Sequence, residues 1–161
     1  RNLKILDYFH NASRFIIRLC LLNNIGTIVI GHNKGWKQEV SMGKQNNQKF
    51  VSIPFDVLIS QIKYKAEEYG IQVFEVEESY TSKTDHLAFE PMMKQDAYLG
   101  KRVKRGLFQS FCGKVLNADI NGAIGIMRKQ KAISDVQIMN LRDRGDVVSP
   151  MMFPSKCERN S

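Results

Sequence analysis

The sequence predicts an α/β fold, a mixed sheet with flanking helices, on three observations. Residues 3–23 repeat apolar side chains at helical spacing. A β-branched run, a second amphipathic helix and a second β-rich run then follow within about 50 residues. Last, Asn117-Ala118-Asp119-Ile120-Asn121-Gly122-Ala123 sets helix-capping residues at the head of a third apolar helical period.

In order, Leu3, Leu6, Phe9, Ala12, Ile16, Leu19 and Cys20 form one helix face. Lys4, Asp7, Asn11, Arg14 and Arg18 form the opposite stripe, a solvated face from which Arg14, Arg18 and His10 could reach a phosphate backbone. Asn23-Asn24-Ile25-Gly26 is a stop, with Gly26 suited to a left-handed turn. Thr27-Ile28-Val29-Ile30 has the continuous β-branched character of a strand buried on both faces. It leads into Gly31-His32-Asn33-Lys34-Gly35-Trp36-Lys37, where Lys34 and Lys37 could grip a nucleic-acid backbone while Trp36 stacks on a base. An ordinary surface loop with Trp36 packed on the core fits the same residues equally well. Ser41 to Lys49, rich in Asn and Gln, is expected to be a flexible connection.

Pro54 suits the first turn of the second helix. Phe55, Leu58, Ile59, Ile62, Ala66 and Tyr69 make its apolar face, with Lys63 and Lys65 pointing away. Gly70 ends it, and Ile71 to Val76 is the second strand, followed by Glu77-Glu78-Ser79-Tyr80-Thr81-Ser82-Lys83. Residues 84–100 show no period. Lys101-Arg102-Val103-Lys104-Arg105 is the densest basic cluster, and Cys112-Gly113 is placed to turn a hairpin into Lys114-Val115-Leu116. The third helix should end near Ala132, and past Ser134 the pattern decays into a loosely attached tail. The expected organisation is therefore one domain over 1–132, with an irregular insert at about 84–116, and a tail over 133–161.

Bulk properties narrow the function classes. The 161 residues hold 43% apolar and 25% charged side chains, as in a globular protein. A net charge of +8, from 24 basic and 16 acidic residues, favours a polyanionic partner. No apolar run approaches the ~20 residues of a membrane span. Cys20, Cys112 and Cys157 are isolated, which excludes a disulfide framework and fits a reducing cytosol. G-x-S-x-G, P-loop and G-x-G-x-x-G motifs are absent, and His10, His32 and His86 lack metal spacing, which leaves them surface or loop positions. What remains is carboxylate chemistry. Acids at strand ends are the usual means of holding Mg²⁺ or Mn²⁺ against a phosphodiester, because hard cations take oxygen ligands. The candidates are Glu77 or Glu78 after the second strand and Asp119 at the helix start, near the positive end of the dipole, where it should stay ionised. Asp119 as a simple helix cap is the plainer reading of that residue.

Phe50 to Lys83, ending in Glu-Glu-Ser-Tyr-Thr-Ser-Lys, followed by Asn117-Ala118-Asp119-Ile120-Asn121-Gly122-Ala123, resembles the C-terminal half of the TnpB family. These are transposon-encoded RNA-guided nucleases, also called OrfB transposases, related to type V CRISPR effectors. The likeness runs from about Arg1 to Lys129. It implies a partial RuvC-like, RNase H-like domain whose three acids bind divalent metal and cut DNA, with DNA and a guide RNA as partners. It also implies a cytoplasmic, nucleoid-associated prokaryotic protein. Asp119 matches the last catalytic aspartate of the family. The first belongs to a strand upstream of the segment that Arg1 begins. The middle acid normally ends the strand matching Thr27 to Ile30, where this chain has Gly31, and its replacement is expected at Glu78 or Glu77. Strand alternation sends those two to opposite faces. Backbone contacts are expected from Arg14, Lys34, Lys37, Lys101, Arg102, Lys104 and Arg105. The family's four-cysteine zinc ribbon would fall in the insert, where Cys112 is the single cysteine, so no structural zinc is expected. The start at Arg1 and the missing aspartate suggest a fragment that is inactive alone. A non-catalytic basic DNA- or RNA-binding module, or a transposon relic, is the rival reading.

Overall fold

In the computed structural model, which describes residues 2–32 and 54–143, apolar spacing yields the expected first helix, α1 (Asn2–Leu22). Its stop differs in detail from expectation: Asn24, with φ of 53°, takes the left-handed turn, and Gly26 is not among the positive-φ glycines. Asn tolerates that region because its short amide can bond locally. The remaining described elements are β1 (Thr27–Gly31), α2 (Phe55–Glu67), β2 (Gln72–Val76), β3 (Lys101–Lys104), β4 (Leu107–Gln109), β5 (Val115–Asn117), α3 (Ala118–Lys129) and α4 (Asp135–Asp143). The chain divides into two compact units, with boundaries after Ile30 in β1 and after Phe74 in β2.

In the first unit α1 packs on α2. Ile17, Cys20, Ala66 and Ile71 form its core, with Ile28 and Val73 from the strands against it. Phe9 and Phe55 add a ring pair with centroids 6.2 Å apart. β1 pairs with β2. Gln72 N–H donates to the Gly26 carbonyl and His32 N–H to that of Val76, so the two strands run in the same direction. β1 is half-buried along its length and not buried on both faces as its composition predicts. Among the described residues β2 is its sole strand partner.

Lys65 departs from expectation. Predicted on the outer side of α2, it is only 6% exposed. Its ammonium donates to the His10 carbonyl at 2.9 Å and to the Ser13 hydroxyl, so a long polar side chain pins α2 to α1. Burial lowers its pKa, Arg14 acts in the same direction, and Glu68 opposes them.

The second unit is built on the antiparallel order β3-β4-β5. Arg102 faces Phe108 and Phe108 faces Leu116, with a register irregularity between Arg102 and Lys104. The Cys112-Gly113 hairpin forms as predicted: Gly113 has φ of 83° and its N–H donates to the Ser110 carbonyl. Leu87, Phe108, Leu116, Ala118, Ile124 and Ile138 make the core. Ile138 lies on α4, within the stretch expected to be a loose tail. One buried residue in a nine-residue helix leaves no period to detect. Among the described residues, no helix is long and apolar enough to cross a membrane.

The aperiodic stretch after β2 is held by polar groups. Asp85, His86 and Glu90 are buried, and His86, expected at a surface or loop position, lies in a loop but is fully covered. Asp85 accepts from the Ser110 hydroxyl at 2.8 Å, Phe111 N–H at 2.7 Å and Ala88 N–H at 3.2 Å. Glu90 accepts from Asp85 N–H and Leu99 N–H, and Asn121 of α3 donates to the Thr84 carbonyl. Gly125 makes room for the network, since a Cβ there would collide with the His86 imidazole.

His86 lies between the Thr81 carbonyl, 2.7 Å from Nε2, and Arg128 Nη1, 2.9 Å from Nδ1. A carbonyl only accepts and a guanidinium only donates, which assigns the neutral Nε2–H tautomer. Burial pushes the His86 pKa down, the Thr81 bond pulls it up, and Arg128 lowers it again. Below the ordinary value of about 6.5 the unfolded chain therefore takes up a proton that the folded one refuses. Stability from this group is expected in full above that pH and to decline as pH falls toward the folded-state pKa. Melting temperatures from pH 7.5 to 5.5 should fall in the wild type and stay flatter in His86→Gln; parallel profiles would contradict the assignment.

Candidate functional site

The acids flagged by the sequence all lie in the second unit. After β2, Glu77 and Glu78 enter a turn closed by Thr81, whose N–H and hydroxyl both donate to the Glu78 carbonyl, at 3.1 and 2.8 Å. Both glutamates are exposed, and their side chains make different contacts. The Glu77 carboxylate accepts from the Ser79 hydroxyl, and the Glu77 carbonyl accepts from Lys129 Nζ at 2.7 Å. The Glu78 carboxylate lies over Gly31. A Cβ built on Gly31 would collide with that carboxylate and come within 2.6 Å of both Glu78 Cγ and Ile126 Cδ1. Glu78 thus fills the volume that a side chain at position 31 would take.

Asp119 sits in the first turn of α3. Asn117, not Asp119, is the cap: its Oδ1 accepts from Asp119 N–H at 2.8 Å and from Ile120 N–H at 3.3 Å. The Asp119 carboxylate is left exposed and free of a capping duty. Asp119 and Ile126 lie seven residues apart, two turns along one helix face and about 10 Å in axial rise. Gly122 lies between them, and a Cβ there would meet nothing within 4 Å. Glu78 lies next to the tip of Ile126, a residue two turns along α3 from Asp119.

Basic groups lie close by. Ala118 N–H donates to the Gly106 carbonyl at 2.9 Å, which ties the start of α3 to the turn between β3 and β4. Arg105 lies in that turn, directly before Gly106. Lys101, Arg102, Lys104 and Arg105 are all exposed, and β3 is an edge strand. Edge lysines also discourage strand pairing between molecules, which is reason enough for some of them. Arg14 is exposed on α1 in the first unit. Lys34, Trp36 and Lys37 fall outside the described residues.

Carboxylates are the oxygen donors that Mg²⁺ and Mn²⁺ prefer, so the chemistry of Asp119 and Glu78 fits such an ion. Among the described residues, however, no group of three or more His, Cys, Asp and Glu side chains is gathered tightly enough to hold a metal. Sequence reasoning missed Asp85, His86, Glu90 and Lys65. All four are buried polar groups fixed by hydrogen bonds, which follow no apolar period.

Known proteins resemble this chain in sequence and fold. The family model described as Cas12f1-like, TNB domain, matches residues 55–126. A TnpB-like protein, ORF457 of Acidianus two-tailed virus, is 29% identical over 126 residues, 78% of this chain and 25% of its own length. The solved structure of a Cas12f1–sgRNA–target DNA complex contains a chain that matches with a TM-score of 0.61 and 21% identity, over 80% of this chain and 35% of that one. This chain therefore spans about a quarter of the viral relative and about a third of the solved one. The shared fold agrees with the mixed α/β class predicted from the sequence. Domain model, curated relative and fold point the same way: the chain is similar to TnpB-like and Cas12f1-like proteins.

Proposed function

We propose that this chain carries part of a divalent-metal centre for DNA phosphodiester hydrolysis, with Asp119 and Glu78 as ligands and guide RNA and DNA as partners. The observation that carries the reading is the Glu78 carboxylate over Gly31. The resemblance calls for an acid on the strand that ends at Gly31, and Glu78 brings a carboxylate to that place from the neighbouring strand. Bound Mg²⁺ or Mn²⁺ would supply Lewis acidity toward the phosphate. The chain's own part is to hold the Asp119 carboxylate on a capped helix, to anchor the Glu77-Glu78 turn through Lys129, and to offer the exposed Arg105, in the turn tied to the start of α3, to a phosphate. Glu77, bonded to Ser79, is the weaker candidate ligand.

With no third acid gathered among the described residues, the 161-residue chain alone is expected to bind metal weakly and cut little DNA. A Mg²⁺-dependent cleavage assay on single-stranded DNA tests this: robust cutting abolished by Asp119→Ala would overturn the predicted inactivity. The same missing acid favours a second reading, a non-catalytic basic module. Nucleic-acid binding that falls steeply with salt, yet ignores both Mg²⁺ and Asp119→Asn, would select it.

A further inference from the structure

The first unit contains a cleft of about 500 Å³ between α1 and α2, lined by none of the acids above. Arg14 and Arg18 line it from α1, Tyr64 and Lys65 from α2, and Glu68 and Tyr69 from the end of α2 and beyond. Three cations against one acid leave it positive. Arg14 and Arg18 are both exposed and one turn apart on the same face, about 5–6 Å between Cβ atoms. Two like charges at that spacing weaken a helix, so they gain from an anion that neutralises both. Lys65 is already engaged with α1, and its charge adds to the field beneath the cleft.

The rings complete the chemistry. Tyr64 and Tyr69 are 48% and 57% exposed, although Tyr69 falls on the apolar face predicted for α2. Two solvent-facing phenol rings beside two guanidinium groups can stack a base while its phosphates are held. A groove between two helices also suits one strand better than a duplex.

We propose that the α1–α2 cleft binds a single-stranded nucleic-acid segment, with Arg14 and Arg18 on successive phosphates and a base against Tyr64 or Tyr69. The site needs no metal and takes no residue from the acidic centre. It stands or falls separately from the nuclease reading.

The test is fluorescence anisotropy of labelled ten-nucleotide oligo(dT) and oligo(rU) with the 161-residue chain in EDTA across a salt series. Arg14→Gln with Arg18→Gln is expected to weaken binding about tenfold or more and to reduce the log–log salt slope by about 1.4, or ~0.7 per phosphate. Tyr64→Leu with Tyr69→Leu should weaken binding at least fivefold and leave the slope unchanged, because stacking releases no counterions. The four side chains are not buried, so unchanged melting temperatures check folding. Comparison of the two oligonucleotides tells whether RNA or DNA is preferred. An arginine pair variant with wild-type affinity and slope, a tyrosine pair variant with wild-type affinity, or equal displacement by oligo-aspartate would each overturn the proposal. Lys101→Gln with Arg105→Gln, on the other unit, should leave the arginine and tyrosine effects in place; their disappearance would also count against the cleft.

Discussion

Glu78→Ala is expected to lower Mn²⁺ affinity at least ~tenfold, the lower end of what even indirect damage to a metal site costs. Adding Gly31→Glu should restore most of that loss. The physical reason is that the two positions share one volume. In the wild type, a side chain at position 31 would run into the Glu78 carboxylate and into Ile126 Cδ1. Gly31→Glu alone should therefore destabilise the second unit and displace Glu78. Once Glu78 is alanine, the remaining obstacle is the end of a flexible isoleucine, which can rotate away. Glu77→Ala should change affinity less than about twofold, since its carboxylate is engaged with Ser79. Mn²⁺ titration followed by electron paramagnetic resonance reads the four variants against the wild type. Loss of affinity in Glu77→Ala with none in Glu78→Ala would transfer the ligand role to Glu77.

The division between what was legible in the sequence and what was not follows the kind of contact involved. α1, α2, β1, β2 and α3 declare themselves through apolar period and punctuation: Pro54 just before α2, Asn117 at the cap of α3 and Gly70 with φ of 68° after α2. Asp119 was legible for the same reason, as an acid at a capped helix start. Where the Glu77 and Glu78 side chains lie was not, because it depends on the space over Gly31, 47 positions upstream of Glu78, which the Glu78 side chain fills. The burial of Lys65 and of the loop residue His86 was not legible, because residue type argues for exposure. Each is buried through partners that only the tertiary fold supplies, the His10 carbonyl and Ser13 hydroxyl for one, the Thr81 carbonyl and Arg128 for the other. Ile138 escaped because one buried side chain makes no pattern.

Asp85→Ala is expected to cost the second unit about 3–5 kcal/mol, lowering its melting temperature by some 10–20 °C or more. The carboxylate is fully buried and receives the buried Ser110 hydroxyl and two partly buried backbone N–H groups, so its removal leaves three donors without their acceptor. Ser110→Ala removes one of those donors and should cost about 1–2 kcal/mol, with a double-mutant cycle showing clear coupling. The same contacts bear on the metal that the family resemblance raises. Asp85 joins the stretch after β2 to the Ser110–Gly113 turn before β5, the kind of cross-link a zinc ion would provide, by hydrogen bonds alone. We propose that it serves in place of zinc, in a segment whose single cysteine, Cys112, is exposed. A chelator should then leave the melting temperature of the wild type unchanged, whereas Asp85→Ala lowers it. A drop of several degrees on chelation, reversed by added Zn²⁺, would show that a metal and not the carboxylate holds this part of the fold.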